Sequence, residues 1–161
     1  MFFENKIIRL SVYLESHEQC KEYKLLLLKK LKDNYEKKAF EKYGIIDKVL
    51  SIESIYYEEM MKTNPNIFFL INTNVEIYFP MKDDKIELEI SKILTYGIYL
   101  ERECFHILIP SLPKSYDLKK DKELYYNSNG KEIRVGNKLE FVISSVRYEK
   151  SGFHCLGKII E

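Results

Sequence analysis

Apolar and polar residues alternate near the start of the chain, and the pattern then changes to a helical one. Residues 8–14 show the period of two that is typical of a half-buried strand. Ser16 and Gln19 have the spacing of a capping box, so the sequence predicts a helix beginning at His17. An apolar stripe at helical spacing follows, made of Cys20, Tyr23, Leu27, Leu31 and Tyr35 and widened by Leu25, Leu26 and Leu28. We expect this helix to pack on a sheet.

The next segment indicates three more strands. They are predicted at residues 45–55, 67–71 and 75–79. Residues 37–43 are charged and weakly patterned, which indicates a connection. Residues 56–66 contain Thr63-Asn64-Pro65-Asn66 and predict a turn, and Asn72-Thr73-Asn74 predicts a second one. With Pro80 ending the last strand, residues 1–80 are expected to form a small α/β domain.

The pattern after residue 80 predicts a second domain, residues 81–161. Its strands are expected at 86–90, 98–101, 105–109, 139–148 and 153–159. Residues 111–134 are polar and rich in turn residues, and we expect a long connection there. Three strands, a connection and a hairpin match the order of the OB-fold, a five-stranded barrel. The fold class predicted is α+β, with the helix on an antiparallel sheet followed by this barrel.

Composition narrows the functional classes. The chain has 161 residues, 45% of them hydrophobic, which is enough for one or two small cores. The net charge is +1, from 26 basic and 25 acidic residues, so any binding of nucleic acid or membrane depends on a local patch. Neither a membrane-spanning run nor a signal peptide is present in the sequence, so we expect a cytoplasmic, soluble protein. An odd number of cysteines, three, favours reduced thiols.

An apolar band around the turn at 56–66 is a candidate protein-docking surface. Tyrosine and methionine are favoured at the centres of interfaces. The residues predicted to dock are Tyr56, Tyr57, Met60, Met61, Pro65 and Ile67. The alternative for this band is packing within the hairpin, especially for Phe68 and Leu70.

The second domain carries a candidate surface for single-stranded RNA, which requires aromatic rings beside positive charge. The residues predicted to bind are Lys92, Tyr96, Tyr99, His106, Lys114, Arg147 and Lys150. The alternative is that Glu101, Arg102 and Glu103 leave this face nearly neutral and that the tyrosines only cover the barrel.

Metal and nucleophile chemistry are poorly supported by the sequence. Cys104, His106, His154 and Cys155 are the residue types of a zinc site. Successive residues of a strand point to opposite faces, however, so His154 and Cys155 are not expected to share a metal. Neither a phosphate-binding glycine loop nor a base beside an exposed nucleophile is recognisable. We predict no cofactor, no metal and no catalytic residue.

Several segments together resemble the stalk subunit of multi-subunit DNA-directed RNA polymerases, the seventh-subunit family called E-prime in archaea. The matching segments are Met1-Phe2-Phe3, Lys30-Leu31, Tyr43-Gly44-Ile45-Ile46-Asp47-Lys48-Val49-Leu50, the strand Val75 to Pro80, and Tyr96-Gly97-Ile98. Residues 10–18 are similar to the poxviral members. The resemblance covers essentially the whole chain through the order of these segments.

The resemblance implies a non-catalytic subunit that docks on the polymerase core and lies near the RNA exit path. The implied partners are the largest polymerase subunits and nascent single-stranded RNA, with no membrane, in the host cytoplasm and virion of a poxvirus. Two departures favour a divergent viral member: the segment 56–66 lacks the family's glycines, and Asp84-Lys85 replaces a Gly-Glu pair. Cellular relatives have a stalk partner, and the wide helical stripe is a candidate surface for one.

A different class of function is also compatible with the sequence. The runner-up is a free-standing OB-fold protein that binds single-stranded RNA in translation or decay. An exposed apolar band near residues 56–66 would favour the polymerase subunit over it. An enzyme ranks third, and a pocket with converging titratable groups would support it.

Overall fold

The computed structural model of the protein describes residues 3–19 and 21–160. The predicted place of Cys20 on the helical stripe and the Met1-Phe2 start of the chain lie outside the described residues. Within them, the protein is mostly β-structure with one α-helix, which confirms the α+β class. No helix in this part of the chain is long and apolar enough to cross a membrane.

The first part of the chain forms an open four-stranded sheet covered by a helix. The elements are β1 (Glu4–Leu14), α1 (Tyr23–Tyr35), β2 (Lys38–Phe40), β3 (Gly44–Met60) and β4 (Ile67–Tyr78). The strand order is β1-β4-β3-β2, and β4 is antiparallel to both β1 and β3. Leu27 and Leu31 of α1 are fully buried, as are Leu10, Val12 and Leu14 of β1. The predicted packing of a helix on an antiparallel sheet is confirmed.

The helix begins later than the sequence pattern predicts. A 3₁₀ turn occupies Ser16–Glu18, and α1 starts at Tyr23 rather than His17. The capping-box spacing was assigned one residue too late, because the Glu15 backbone N–H donates to Glu18 Oε1 at 3.1 Å. Gln19 donates from Nε2 to the carbonyl oxygen of Pro65 at 3.2 Å instead of capping a helix.

The predicted turn at Asn72-Thr73-Asn74 is wrong, since these residues lie within the continuous strand β4. β4 is paired on both sides, with Thr73 opposite Ile8 of β1 and Ile52 of β3. Thr73 is fully buried, and its hydroxyl donates to the Ile71 carbonyl oxygen at 3.1 Å. Pairing with two neighbours therefore overrides the local preference of asparagine for turns.

Two other boundaries also differ from the prediction. β3 continues to Met60, so the turn occupies only residues 61–66 and Tyr56, Tyr57 and Met60 lie on a strand. Four register shifts each give β3 one more residue than β4, which is the signature of β-bulges. The predicted connection at 37–43 contains the short strand β2.

The second part of the chain contains eight strands. They are β5 (Lys85–Leu94), β6 (Gly97–Arg102), β7 (Phe105–Ile109), β8 (Asp117–Lys120), β9 (Leu124–Ser128), β10 (Lys131–Ile133), β11 (Lys138–Glu149) and β12 (Gly152–Ile159). Five of them close into a barrel in the order β11-β12-β7-β6-β5, and β11 pairs back with β5. β7 and β12 run parallel, and the other barrel pairs are antiparallel. All five predicted strands of this part are present.

Alternating side chains fill the barrel. The residues that the solvent does not reach at all are Ile98, Leu100, Ile107, Ile109, Phe141 and Ile143. Gly157 allows the close approach of β12 to this core, because a Cβ there would lie 3.0 Å from the Phe141 ring. The outward-facing residues of the same strands are therefore free to form a surface site.

The predicted long connection at 111–134 is not a simple loop. It contains β8, β9 and β10, which form a separate three-stranded sheet in the order β10-β9-β8. Tyr126 and Ile133 are its buried residues, and the Tyr126 hydroxyl donates to the Leu94 carbonyl oxygen at 3.4 Å. These strands are short and largely exposed, so their sequence lacks the alternation of apolar and polar residues that predicts the barrel strands.

The chain divides into two compact units. Among the described residues, one unit, the sheet unit, contains residues 3–19, 21–38 and Tyr43–Tyr78. The other, the barrel unit, contains Ala39–Lys42 and residues 79–160. In the barrel unit, the Tyr148 hydroxyl donates to the Ala39 carbonyl oxygen at 3.2 Å. The sequence placed the boundary after Pro80 and did not anticipate the assignment of residues 39–42.

Candidate functional site

The outer face of the barrel concentrates ring side chains on two neighbouring strands. On β7 and β12 the buried residues are Phe105, Ile107, Ile109, Phe153 and Cys155. The side chains between them therefore point outward, because successive residues of a strand face opposite sides. β7 and β12 are parallel and in register, which places His106 beside His154 and Leu108 beside Leu156. Two histidines and two leucines thus form adjacent rows on the surface.

A groove of about 490 Å³ follows this outer face. It is lined by Leu94, Tyr96, Tyr99, His106, Leu108, Ser145, Arg147, His154, Cys155 and Leu156. Ligand pockets in proteins measure roughly 300–1,000 Å³. The groove is therefore large enough to hold a planar organic group, and its lining combines apolar side chains with a few polar ones.

Three rings form a continuous array in the groove. The rings of His106 and His154 are stacked, with centroids 4.8 Å apart and planes inclined by 13°. Tyr99 extends the array, with its ring centroid 6.4 Å from that of His106 and its plane inclined by 21°. Its hydroxyl oxygen lies 2.8 Å from His106 Nδ1. The stack and the hydrogen bond together fix the orientation of both imidazoles.

Charged residues flank the array on both sides. Glu101 lies opposite His106 on β6, and its Oε1 is 3.3 Å from His106 Nδ1. Arg147 lies opposite His154 on β11 and forms a 2.8 Å ion pair with Glu149. A single row across four strands therefore reads carboxylate, imidazole, imidazole, guanidinium.

Tyr99 remains a neutral phenol in this setting. Burial, followed by the charge of Glu101, raises the pKa of Tyr99 above its usual range. A protonated hydroxyl can donate to a ring nitrogen, which suits its contact with His106. The groove therefore offers neutral polar contacts between its charged ends.

The structure brings together four of the seven residues predicted to bind RNA: Tyr96, Tyr99, His106 and Arg147 all line the groove. Lys92 is exposed beside it, opposite Tyr99 on β5. Lys150 is exposed in the turn between β11 and β12. Lys114 is exposed between β7 and β8 and is not one of the lining residues.

Of the groove residues on β12 and β11, the sequence predicts only Arg147. It does not predict His154, Ser145 or Leu156, nor Leu108 on β7. The alternation around the buried Cys155 was the available signal, because it places His154 and Leu156 on the outer face. The partnership of His154 with His106 depends on a parallel strand pair between distant segments, which the sequence does not reveal.

Tyr96 owes its position to a tight turn between β5 and β6. Gly97 follows it, and a Cβ at that position would overlap the carbonyl oxygen of Ile109. Glycine therefore allows the backbone to pass close to β7 while Tyr96 stays 63% exposed at the end of the groove.

The cysteines of the candidate zinc motif face different environments. Cys155 lies in the barrel core, where burial is the main cause that raises the pKa of its thiol to about 12. His154 faces outward. Burial also raises the pKa of Cys104. A thiol held protonated by burial is a poor metal ligand, since the thiolate is the binding form.

One cluster of metal-ligating side chains occurs among the described residues outside the groove. Glu15, His17 and Glu18 place their ligand atoms within 4.8 Å of one another. Glu18 is already paired with Lys30, whose hydrogen bond is the main cause that lowers the pKa of this carboxyl. The cluster is therefore explained as an ion-pair network around the 3₁₀ turn.

The residues predicted to dock a partner lie at the far end of β3, in the following turn and at the start of β4. Tyr56, Tyr57 and Met60 are 54%, 44% and 65% exposed. Pro65 is exposed, whereas Met61 and Ile67 are half-buried. We call Tyr56, Tyr57 and Met60 the docking patch.

Local contacts order the docking patch. The Arg9 guanidinium carbon lies 3.5 Å from the centroid of the Tyr56 ring. A hydrogen bond from the Tyr57 hydroxyl to Glu59 raises the pKa of Tyr57. Both tyrosines are therefore oriented before any partner binds.

The turn at 61–66 contains no glycine and is held by hydrogen bonds. The Met61 N–H donates to the Asn66 carbonyl oxygen at 2.9 Å, and the Asn66 N–H donates to Asn64 Oδ1 at 3.0 Å. Side-chain and backbone hydrogen bonds of this kind stabilise turns where asparagine replaces glycine.

Comparison of the chain with protein-family models and with curated proteins found no match.

Proposed function

We propose that the protein is a non-catalytic stalk-type subunit of a viral, poxvirus-like DNA-directed RNA polymerase in the host cytoplasm. Its sheet unit would dock on the largest polymerase subunits. Its barrel would be an OB-fold that contacts emerging single-stranded RNA. The active site for RNA synthesis would lie on other subunits.

The strand connections of the barrel support the OB-fold part of the proposal. Three successive antiparallel strands, β5 to β7, are followed by an insertion and a β11–β12 hairpin. β12 returns beside β7 in parallel, and β11 closes on β5. OB-folds are five-stranded Greek-key barrels of this kind, and they bind oligonucleotides on strands 2 and 3 and the adjoining loops.

The observation that carries the RNA-binding part is the ring array beside Arg147. The second and third barrel strands supply Tyr99 and His106, and the β5–β6 turn supplies Tyr96. Each base stacked on such a ring contributes about 1–3 kcal/mol, with little dependence on sequence. The balanced charge of the groove, with Glu101 and Glu149 present, favours stacking over strong attraction to phosphates.

The docking patch supports the polymerase-subunit part. Exposed tyrosine and methionine side chains on one strand are typical of the central region of a protein interface. Their exposure also means that they contribute little to the stability of the isolated chain.

A free-standing protein that binds single-stranded RNA is the second candidate. The groove alone favours it, because such a function requires only the barrel. The docking patch distinguishes the two candidates, since a free-standing RNA binder gains nothing from it.

Co-purification tests the proposal. The full chain, carrying an affinity tag, is expressed in cells that make the polymerase, and the two largest polymerase subunits are quantified by mass spectrometry. The wild type should recover both. Replacing Tyr56, Tyr57 and Met60 together with serine should lower their recovery about tenfold or more, since such residues are frequent hot spots.

The matched control is Tyr96→Ser, which removes an equally exposed tyrosine from the barrel unit and should leave recovery unchanged. Recovery of the wild type as a monomer, without polymerase subunits but with tightly bound RNA, would instead establish the free-standing RNA-binding protein.

A further inference from the structure

The β12–β11 half of the groove contains two planar side chains on paired strands. His154 and Arg147 lie directly opposite each other in the antiparallel pair of these strands, and both line the groove. Next to them in the same pair lie Ser145 and Leu156, also lining residues. Leu156 is 42% exposed and gives this half an apolar base.

One face of the His154 ring is covered by the neighbouring ring of the array. The array does not extend over its other face. His106 covers the first face at 4.8 Å, from β7. β11 lies on the other side of β12, which places Arg147 on the side of His154 away from His106. His106 is itself held by the Tyr99 hydroxyl, 2.8 Å from its Nδ1, which makes the covered side of His154 a fixed support.

The Arg147 side chain is free to move away from this face. It is 76% exposed, and its ion pair with Glu149 is on the surface. Such surface ion pairs contribute only about 0–1 kcal/mol, so the guanidinium can shift at small cost. Inserting a flat ring between two planes requires a separation of roughly 7 Å, twice an ordinary contact distance. A long, exposed arginine can provide that separation by swinging outward.

We propose that this half of the groove is a slot for one unpaired nucleobase, held between the imidazole of His154 and the guanidinium of Arg147. The inference rests on the RNA-binding part of the proposed function and names the ligand group and the residues that hold it. Unpaired bases in RNA stack on histidine rings and on arginine planes. Leu156 and Ser145 contact the edge of the base, and Lys150 lies near enough along the chain to meet its phosphate.

The slot selects single strands without reading their sequence. Every base has a π face, so stacking tolerates all four. A base within a duplex is already stacked and paired, and it reaches the slot only after the duplex opens. We therefore expect unstructured RNA to bind and duplex RNA of equal length to bind far more weakly.

Fluorescence anisotropy of the full chain with a fluorescein-labelled 12-nucleotide oligouridylate tests the slot. His154→Ala should weaken binding about 5- to 150-fold, the loss that corresponds to one stacked base. His154→Phe keeps a ring of similar plane and should restore most of the affinity. An unlabelled RNA duplex of the same length serves as a competitor and should displace the oligouridylate only weakly.

Arg147→Lys separates stacking from charge. It keeps the positive charge and removes the plane, so the slot predicts a loss in the same range as for His154→Ala. A purely electrostatic groove predicts almost no change. Because the Arg147 side chain is 76% exposed, this variant is expected to fold normally. His17→Ala, an exposed histidine of the sheet unit, is the matched control and should change affinity less than twofold.

The outcomes distinguish the slot from the proposed function. Wild-type binding that survives both His154→Ala and Arg147→Lys would overturn the slot while the RNA-binding barrel stands. Absence of any wild-type binding would overturn the slot and the RNA-binding role together. Loss of polymerase co-purification with RNA binding intact would overturn only the stalk-subunit role.

Discussion

The two units of the protein satisfy the hydrogen bonds of their outer strands in different ways. In the barrel, β11 pairs with both β12 and β5, so the ring of five strands has no free edge. The sheet unit is open, and β1 forms one of its edges. An open edge is a site where another chain can add to the sheet, so the way each edge is covered indicates which surfaces are available to partners.

The β1 edge is covered by side chains of the same unit. Three alternate carbonyl groups of the strand accept hydrogen bonds from side chains outside the sheet. The carbonyl oxygen of Arg9 accepts from the Tyr43 hydroxyl at 3.3 Å, that of Ser11 from the Tyr35 hydroxyl at 2.7 Å, and that of Tyr13 from Lys30 Nζ at 2.9 Å. This edge is therefore unsuitable for strand addition.

The other side of the sheet is covered only at its beginning. There the Ile46 carbonyl oxygen accepts from the Lys37 N–H at 2.8 Å. The Glu36 carboxylate accepts from the Val49 N–H at 2.9 Å. From residue 50 to 60, no strand of the described chain pairs with the outer side of β3, and this is the segment that carries the docking patch.

The two units therefore differ in the kind of surface that they expose. The barrel completes its own hydrogen bonding and carries a groove on its outer face. The sheet unit leaves one side of β3 and several large side chains exposed, which suits contact with another protein. The bulges of β3 bend that edge, which discourages pairing with an arbitrary strand and favours side-chain recognition.

The largest expected effect comes from core truncations in the two units. Phe141→Ala in the barrel and Phe69→Ala in the sheet unit each remove a fully buried ring, which costs about 3–5 kcal/mol. The closed barrel has less freedom to collapse around the cavity, so the loss for Phe141 should be near the upper limit. Phe69 borders a surface cavity of about 220 Å³ and should cost less.

Native-state amide exchange measures each loss separately, through protection of β11 and β12 for the first variant and of β1 and β4 for the second. Equal losses of unfolding free energy, or a larger loss for Phe69→Ala, would show that barrel closure does not increase the cost of a core cavity.

A smaller effect tests the covered edge of β1. Tyr35→Phe removes the hydroxyl that donates to the Ser11 carbonyl oxygen and should lower the free energy of unfolding by about 0.5–1.5 kcal/mol. Tyr57→Phe removes an exposed hydroxyl from the docking patch and should change it by less than about 0.5 kcal/mol. Urea unfolding followed by circular dichroism provides both values. If Tyr57→Phe lowered the free energy of unfolding as much as Tyr35→Phe, the hydrogen bond at the β1 edge would not stabilise the protein more than an exposed hydroxyl does.

The smallest effect concerns an exposed ion-pair cluster on the three-stranded sheet of the barrel unit. Arg134 lies 2.9 Å from both Asp121 and Glu132, and its hydrogen bond is the main cause that lowers the pKa of Asp121 to about 2. A lowered pKa contributes stability above the usual value near 3.8, and this contribution is lost as the pH falls through about 2.

NMR titration of the Asp121 carboxyl between pH 5 and pH 1.5 measures this pKa directly. Arg134→Gln should return it to the ordinary range and leave the barrel amides unaffected. An unchanged Asp121 pKa in that variant would show that the surrounding backbone N–H groups, not Arg134, hold the carboxylate ionised.

Sequence reasoning succeeded where burial alternates on a single strand. The alternation at residues 105–109 and 153–159 correctly predicted two barrel strands. It failed at Asn72-Thr73-Asn74, where pairing on both sides outweighs turn propensity. It also failed at 117–133, where short exposed strands lack a clear apolar face.

The candidate site was only half predictable for a related reason. Tyr96, Tyr99 and His106 lie close together along the chain, on the first turn and two neighbouring strands of the barrel. Their meeting with His154 requires the parallel pairing of β7 and β12, and local sequence does not specify which distant strands become neighbours.

The sequence by itself determined the five barrel strands, the presence of the helix and the alternation that sorts buried from exposed side chains, because these depend on spacing along the chain. Only the tertiary structure decided the closure of the barrel, the stacking of His154 on His106 and the coverage of the β1 edge. Each of these joins groups far apart in sequence, and such contacts are selected by the packing of the whole unit rather than by any local pattern.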